Sequence, residues 1–235
     1  MKTAQVRVIT TVACYTKRMY FQSRAEAGYR LALDLMQYRY EDTVVLCLSE
    51  GAVLVGQQIA ASLHAVLTVM LVEEIEVPGE GLIFGTVNQS GRFVYNGMFT
   101  VGEIEDYFSE FHGYLEDKKR TAVSRINRLL SDGGIMDENI LRGHNVIVVA
   151  DGLSNGTSLD AVADYMKPIR IKRLVIAAPV AAVDAVDRMH ILGDEIHVIG
   201  VTDNYMGTNH YYENNEIPDR EELISILNNI ILSWR

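Results

Sequence analysis

Apolar residues come in blocks along the chain, and the spacing within each block separates strands from helices. Gln5 to Cys14 is rich in β-branched residues and predicts a strand or a strand pair. After Ser23, a suitable N-cap, Ala27, Leu31, Leu35 and Met36 recur at helical spacing and predict a helix to about Gln37. Thr43 to Leu48 reads as a strand, Ser49-Glu50-Gly51 as a turn, Ala52 to Leu63 as a helix and Val66 to Val72 as a strand. Strand, helix, strand in this order makes a parallel pair with a right-handed crossover. From Glu73 to Gly97, Pro78, Gly79, Gly81, Gly85, Gly91 and Gly97 break up any long element, so short antiparallel strands and loops are expected. Ile104, Tyr107, Phe108, Phe111 and Leu115 start a helix that continues, with room for a break, through Val123, Ile126 and Leu130, and Ser131-Asp132-Gly133-Gly134 ends it.

Val146 to Ala150 is apolar at every position, as suits a parallel strand covered on both faces. The pattern breaks at Asp151, and the small residues Gly152, Ser154, Asn155, Gly156, Thr157 and Ser158 lead into the next helix, which is read from Leu159 to a stop near Pro168. Glycines here permit backbone geometries closed to other residues, and a helix start presents N–H groups with no partner in the helix. An anion, most simply a phosphate, suits such a place; the plainer use of Ser154 and Thr157 is as helix caps. Neither the lysine of a Walker A loop nor the glycine spacing of a dinucleotide fingerprint is present. Asp151 beside a phosphate makes sense if it serves another part of the ligand, such as sugar hydroxyls, so a sugar phosphate fits best. Beyond the loop, Arg173 to Ala178 and Glu195 to Val201 read as strands, Val183 to Leu192 and Arg220 to Trp234 as helices. Tyr211 and Tyr212 read as an aromatic pair used in packing. No linker or repeat divides the chain. It is expected to be one α/β domain over residues 1–235, a doubly wound, mainly parallel sheet flanked by helices, with a small accessory region around 73–100.

Composition narrows the partners. A net charge of -10 argues against a broad nucleic-acid face, which needs Lys and Arg to neutralise phosphates. No apolar stretch reaches the roughly 18 residues of a membrane span, and the N-terminus has no secretory apolar region. Cys47 lies in an apolar run, as a buried thiol would, and with Cys14 the only other cysteine a reducing cytoplasm is the expected location. The six histidines offer no compact metal spacing.

Five segments in order give the chain a resemblance to the type I phosphoribosyltransferases, and most closely to their orphan, or predicted, subgroup. Phe21-Gln-Ser-Arg24-Ala-Glu-Ala27-Gly28 is similar to the family's opening helix, and Leu48-Ser49-Glu50-Gly51 stands where the family has a strand and its pyrophosphate loop. Val77-Pro78-Gly79 with Gly85-Thr86-Val87 resembles the run after the third strand. Val149-Ala150-Asp151 to Ser158 looks like the motif for 5-phosphoribosyl pyrophosphate (PRPP), and Ala177-Ala178-Pro179-Val180-Ala181 like the strand and turn beyond it. The resemblance implies an accessory hood, Mg-assisted transfer of a phosphoribosyl group to a nitrogen acceptor, and a small sugar phosphate or nucleotide as ligand. By the same resemblance Asp151 contacts the ribose, while Gly152, Leu153, Ser154, Asn155, Gly156, Thr157 and Ser158 hold the 5-phosphate. A homodimer is the default expectation.

The chain departs from the family's pattern on the pyrophosphate side. Ala150 replaces an acid, Glu50 replaces an arginine, and Glu73-Glu74 follow Val72 where basic residues are expected. Exchanging a charged hydrogen bond worth roughly 1.5–3 kcal/mol for repulsion costs several kcal/mol at a pyrophosphate site. Glu50, Glu73 and Glu74 are therefore candidates to stand near a metal, with Glu50 also placed to meet a cationic amine; Glu73 and Glu74 alternatively face solvent. A binding or regulatory module that keeps the phosphate cradle without the chemistry is the other reading of the same residues.

Overall fold

The structure is a computed structural model and describes residues 19–88, 90–130 and 138–234. The expected strand at 5–14, Cys14 and the helix stop at 131–134 lie outside the described residues. The first helix, α1 (Arg24–Asp34), starts at Ser23, whose Oγ accepts from the Glu26 N–H, while a Glu26 carboxylate oxygen accepts from the Gln22 N–H. It stops earlier than the expected Gln37, giving way to a 3-10 turn at Met36–Tyr38. Its buried stripe is Arg24, Ala27, Gly28, Leu31 and Ala32.

Strand β1 (Thr43–Cys47) is buried at all five positions, and α2 (Glu50–Leu63) follows at once. Glu50 and Gly51 are therefore the first helical residues, not a turn, because the Ser49 hydroxyl caps the Ala52 N–H at 2.9 Å. The strand expected over 66–72 is split in two. Strand β2 (Val66–Val69) pairs with β1, and after Met70 and Leu71 the chain enters β3 (Val72–Glu76) of a second sheet. Strands β3, β4 (Ile83–Asn88) and β5 (Phe93–Tyr95) are antiparallel in that order. Helix α3 (Val101–Leu130) breaks its regular geometry at Phe111, as the sequence allows. Its apolar residues Ile104, Tyr107, Phe108, Phe111 and Leu115 pack on Ile75, Val77, Phe84 and Val87 of the small sheet. That stripe is used within the chain.

Strand β6 (Asn145–Val149) is again buried throughout, and α4 (Thr157–Met166) begins two residues before the expected Leu159. Strand β7 (Arg173–Ala182) runs four residues beyond Ala178, through Pro179, because its parallel pairing with the last strand continues to Ala182, with Leu153 bridging to Ala181 on the other side. Helix α5 (Val183–Leu192) and strand β8 (Glu195–Thr202) follow; the tail is α6 (Arg220–Asn228) and a 3-10 turn at Ile230–Ser233 rather than one helix to Trp234.

The main sheet has the order β2-β1-β6-β7-β8, parallel throughout. One face carries Val45, Cys47, Ile147, Val149, Val175 and Ala177 under α1, α2 and the C-terminal segment; the other carries Val44, Leu46, Val146, Val148, Ile176 and Ala178 under α4 and α5. Strand order reverses between β1 and β6. The crevice outside the carboxyl ends of those two strands is where such sheets take ligands, and Ser49 and Asp151 stand there.

Candidate functional site

Asp151 is the centre of a buried hydrogen-bond network. Arg24 donates from Nε to Asp151 Oδ2 at 2.8 Å, and the Ser49 hydroxyl donates to Oδ1 at 2.8 Å while accepting from the first turn of α2. Arg24 is 2% exposed; its Nη2 donates to Asn209 Oδ1 at 2.7 Å, and its guanidinium lies 4.6 Å from the centre of the Tyr212 ring. The Tyr212 hydroxyl donates to the Asp151 carbonyl oxygen at 2.6 Å. Burial, followed by the Asp151 charge, raises the Tyr212 pKa, so its proton stays on as a donor at neutral pH. Gly51 is needed here for space: a Cβ would stand 2.2 Å from Asp151 Oδ2 and 2.7 Å from Arg24 Nε.

The loop after Asp151 is ordered mainly by its own residues. Asn155 Oδ1 accepts from both the Thr157 N–H at 3.0 Å and the Thr157 hydroxyl at 2.8 Å. Gly156 precedes the helix with φ of +76°, a left-handed geometry suited to glycine. Ser154 and Thr157 are thus not the side-chain caps of α4. Leu153 is oriented away from any anion by its backbone: its N–H donates to Val180 and its carbonyl accepts from Ala182. The Thr157 hydroxyl is turned inward as well. What remains for a ligand is the backbone of Ser154, Asn155 and Gly156, whose N–H groups have no partner among the described residues, together with the first turn of α4.

A cavity of about 350 Å³ joins this loop to the acids named from the sequence. Ser49, Glu50, Glu73, Glu74, Asp151, Gly152, Ser154 and Ser158 all line it, so residues from three separate stretches meet in one space. Asn155, Gly156 and Thr157 are not among its lining residues; Asn155 borders a second hollow with Asp160, Asp184 and Arg188. Ala150, 5% exposed, gives the cavity an apolar patch where a second acid would sit.

Glu50 and Glu73 do point into the cavity, and an arginine stands between them. Arg125 of α3 reaches Glu50 Oε2 through Nη2 at 3.0 Å and Glu73 Oε1 through Nη1 at 2.9 Å. Glu74 accepts from the Ser158 hydroxyl at 2.8 Å. Burial raises the Glu73 pKa above its ordinary range, with Arg125 pulling it back and Glu50 adding to the rise; burial also raises Glu74, opposed by Ser158. Among the described residues no three His, Cys, Asp or Glu side chains are grouped to hold a metal ion. Glu50 and Glu73 form an ion-paired bridge through Arg125.

Sequence reasoning passed over Arg24, Tyr205, Thr208 and Asn209. Arg24 had a signal: it falls on the same helical stripe as Ala27, Gly28 and Leu31, and a charge on a buried stripe needs a buried partner. Tyr205 and Thr208, hydrogen-bonded to each other at 2.8 Å, line the cavity beside Gly152 from a segment with no periodic pattern to mark it. The Tyr211 and Tyr212 pair is buried, as its reading as packing implies. His197 binds Glu195 at 2.8 Å in a separate buried cluster.

Comparisons with known proteins bear on the family and the fold. The family model described as "Phosphoribosyl transferase domain" matches residues 21–205, most of the chain. The Mycobacterium tuberculosis H37Rv protein named "Putative phosphoribosyl transferase Rv0571c" is 27% identical over 88% of this chain, and the match covers 46% of that protein. The chain thus spans about half the length of the curated relatives it matches. Among solved structures, TT1426 from Thermus thermophilus shares 26% identity with a TM-score of 0.65, over 88% of this chain and 97% of that one. No helix among the described residues is long and apolar enough to cross a membrane.

Proposed function

Because the chain belongs to the phosphoribosyl transferase domain family, we propose that it binds the 5-phosphate of a ribose phosphate at the 152–158 loop and moves the phosphoribosyl group of PRPP to a nitrogen acceptor. One observation carries this reading: Asp151, Gly152 and Ser154 of the loop and Ser158 of the first turn of α4 line a single cavity where the strand order reverses. The Ser154, Asn155 and Gly156 N–H groups serve the phosphate, and Asp151, held in place by Arg24 and Ser49, serves the ribose hydroxyls. A magnesium ion fits only as one carried in on the diphosphate, since magnesium takes one or two carboxylates together with phosphate oxygens and water. Glu74, which accepts from the Ser158 hydroxyl, is the acid that would face it, and the ion would neutralise charge on the departing diphosphate. The acceptor is expected to enter past Tyr205 and Thr208. Calorimetry with ribose 5-phosphate and with PRPP, each with and without magnesium, tests the reading. Micromolar to millimolar binding of both supports it, and no heat from either rejects it.

The Arg125 bridge favours a second reading, a binding module without transfer chemistry. Two of the acids on the diphosphate side are already in ion pairs, and net acid remains around them. On this reading ribose 5-phosphate or a nucleoside monophosphate binds more tightly than PRPP, and no diphosphate is released on incubation with ammonia or purine bases. The reverse order of affinities, or release of diphosphate, eliminates it.

A further inference from the structure

Among the described residues Arg125 is the one lysine or arginine lining the cavity, against four carboxylates from Glu50, Glu73, Glu74 and Asp151. It comes from α3, the helix that carries the small sheet, and its side chain is about half exposed, at 48%. Both of its terminal nitrogens are turned onto acids, Nη2 to Glu50 at 3.0 Å and Nη1 to Glu73 at 2.9 Å. The two acids are set on different elements, Glu50 in the first turn of α2 and Glu73 in β3, so the arginine joins the main sheet's crevice to the accessory sheet. We propose that Arg125 is the specificity-determining cation for a second anionic group on the ligand, a diphosphate, and that Glu50 and Glu73 hold it in readiness while competing for it.

The 152–158 loop offers neutral backbone N–H groups, sufficient for one phosphate at a helix start. A second phosphate group in the same cavity meets carboxylates on nearly every side. A planar guanidinium that pairs with two separate carboxylates is also of the right form to take a diphosphate bidentately. The Arg125 side chain is half exposed while Glu50 and Glu73 keep 19% and 25% exposure, so the bridge is weaker than a fully buried ion pair and a competing anion can draw Arg125 out of it. A diphosphate, with more charge than either carboxylate, competes well for it. Arg125 is therefore expected to decide between ligands with one phosphate group and ligands with an added diphosphate, and to matter little for the first kind.

This inference rests on the ribose-phosphate reading above, and the test separates the two. Affinities of ribose 5-phosphate, PRPP and inorganic diphosphate are measured by calorimetry on the whole chain, for wild type and for Arg125→Gln, Arg125→Lys and Glu73→Gln. Arg125→Gln is expected to weaken PRPP and diphosphate about tenfold or more, the loss of one charged hydrogen bond, and to change ribose 5-phosphate less than about threefold. Arg125→Lys is expected to recover part of the loss. Glu73→Gln is expected to strengthen PRPP, because it frees the arginine and removes a repelling charge. Equal weakening of all three ligands by Arg125→Gln, or weaker PRPP binding in Glu73→Gln, overturns the role of Arg125 and leaves the 5-phosphate site standing. A wild type that binds diphosphate but not ribose 5-phosphate would instead overturn the ribose-phosphate reading and leave that of Arg125. Native circular dichroism of each variant guards against loss of the fold.

Discussion

Arg24 and Asp151 form a buried ion pair across 127 residues of sequence, Nε to Oδ2 at 2.8 Å. Removing one member of such a pair leaves the other charged and without its partner, which costs about 3–5 kcal/mol. Arg24→Met should therefore lower stability toward the lower end of that range, since the Asp151 side chain keeps 12% exposure and some access to water. Adding Asp151→Ala to Arg24→Met should restore part of the loss, because the stranded carboxylate is then gone. Urea denaturation of the single and double variants is the measurement, and a loss below about 1 kcal/mol in Arg24→Met would show the pair to be dispensable.

Gly51→Ala tests how closely α2 approaches that pair. The added methyl would meet Asp151 Oδ2 at 2.2 Å, too close for a Cβ, so either the helix start or the carboxylate must shift. Overpacking of this kind costs about 1–3 kcal/mol. If Asp151 orients the ribose, binding of ribose 5-phosphate should fall further than stability does. Calorimetry and urea curves on the same preparation separate the two effects, and unchanged binding in a destabilised protein would remove Asp151 from ligand contact.

The phosphate loop depends on Gly156. Its φ of +76° is strained for any side chain, and a Cβ would also stand 2.8 Å from the Cβ of Arg188. Gly156→Val, with a β-branched side chain in the left-handed region, should cost about 1–3 kcal/mol and should disorder the turn that Asn155 and Thr157 close. Ribose 5-phosphate binding is expected to be lost. Retained binding at wild-type affinity would mean that the anion is held elsewhere.

Glu74 should leave a mark on the pH dependence of stability. Its pKa is raised in the folded protein, chiefly by desolvation of the carboxyl, although the residue as a whole is exposed and solvent screens much of the effect, so the native state holds the proton slightly more tightly than the unfolded chain does. The penalty is therefore absent below the ordinary value of 4.5 and grows as pH rises through and above it. Glu74→Gln should be more stable than wild type at about pH 8, with the margin shrinking toward about pH 4. Urea midpoints measured across that range check the sign, and a margin that grows toward acid contradicts it.

The sheet was legible in the sequence where burial is complete. Val44 to Cys47 and Val146 to Val149 are apolar on both faces because both faces are covered, and periodicity has no other way to express that. The loop from Gly152 to Ser158 was legible too, as a run of small residues between a strand and a helix. Contacts made by distant residues were not. Leu153 looks like one more loop residue until Ala181 is beside it, and Glu50 looks unbalanced until Arg125 arrives from a helix 75 residues away. The Ser49 cap could have been read locally, from a serine ahead of a helical pattern, and would have placed Glu50 in the helix from the start.

The satisfaction of Asp151 has a kinetic consequence. Its side chain and carbonyl are held by residues 127, 102 and 61 positions away, and Arg24 in turn leans on Asn209 across 185 positions. None of these contacts can form while β6 and its loop have only their sequence neighbours for company. Closing such long loops is slow compared with local structure formation. In refolding experiments the helical signal should therefore return well before the capacity to bind a ligand, and the carboxylate at the centre of the site would mark the moment at which the chain has finished finding itself.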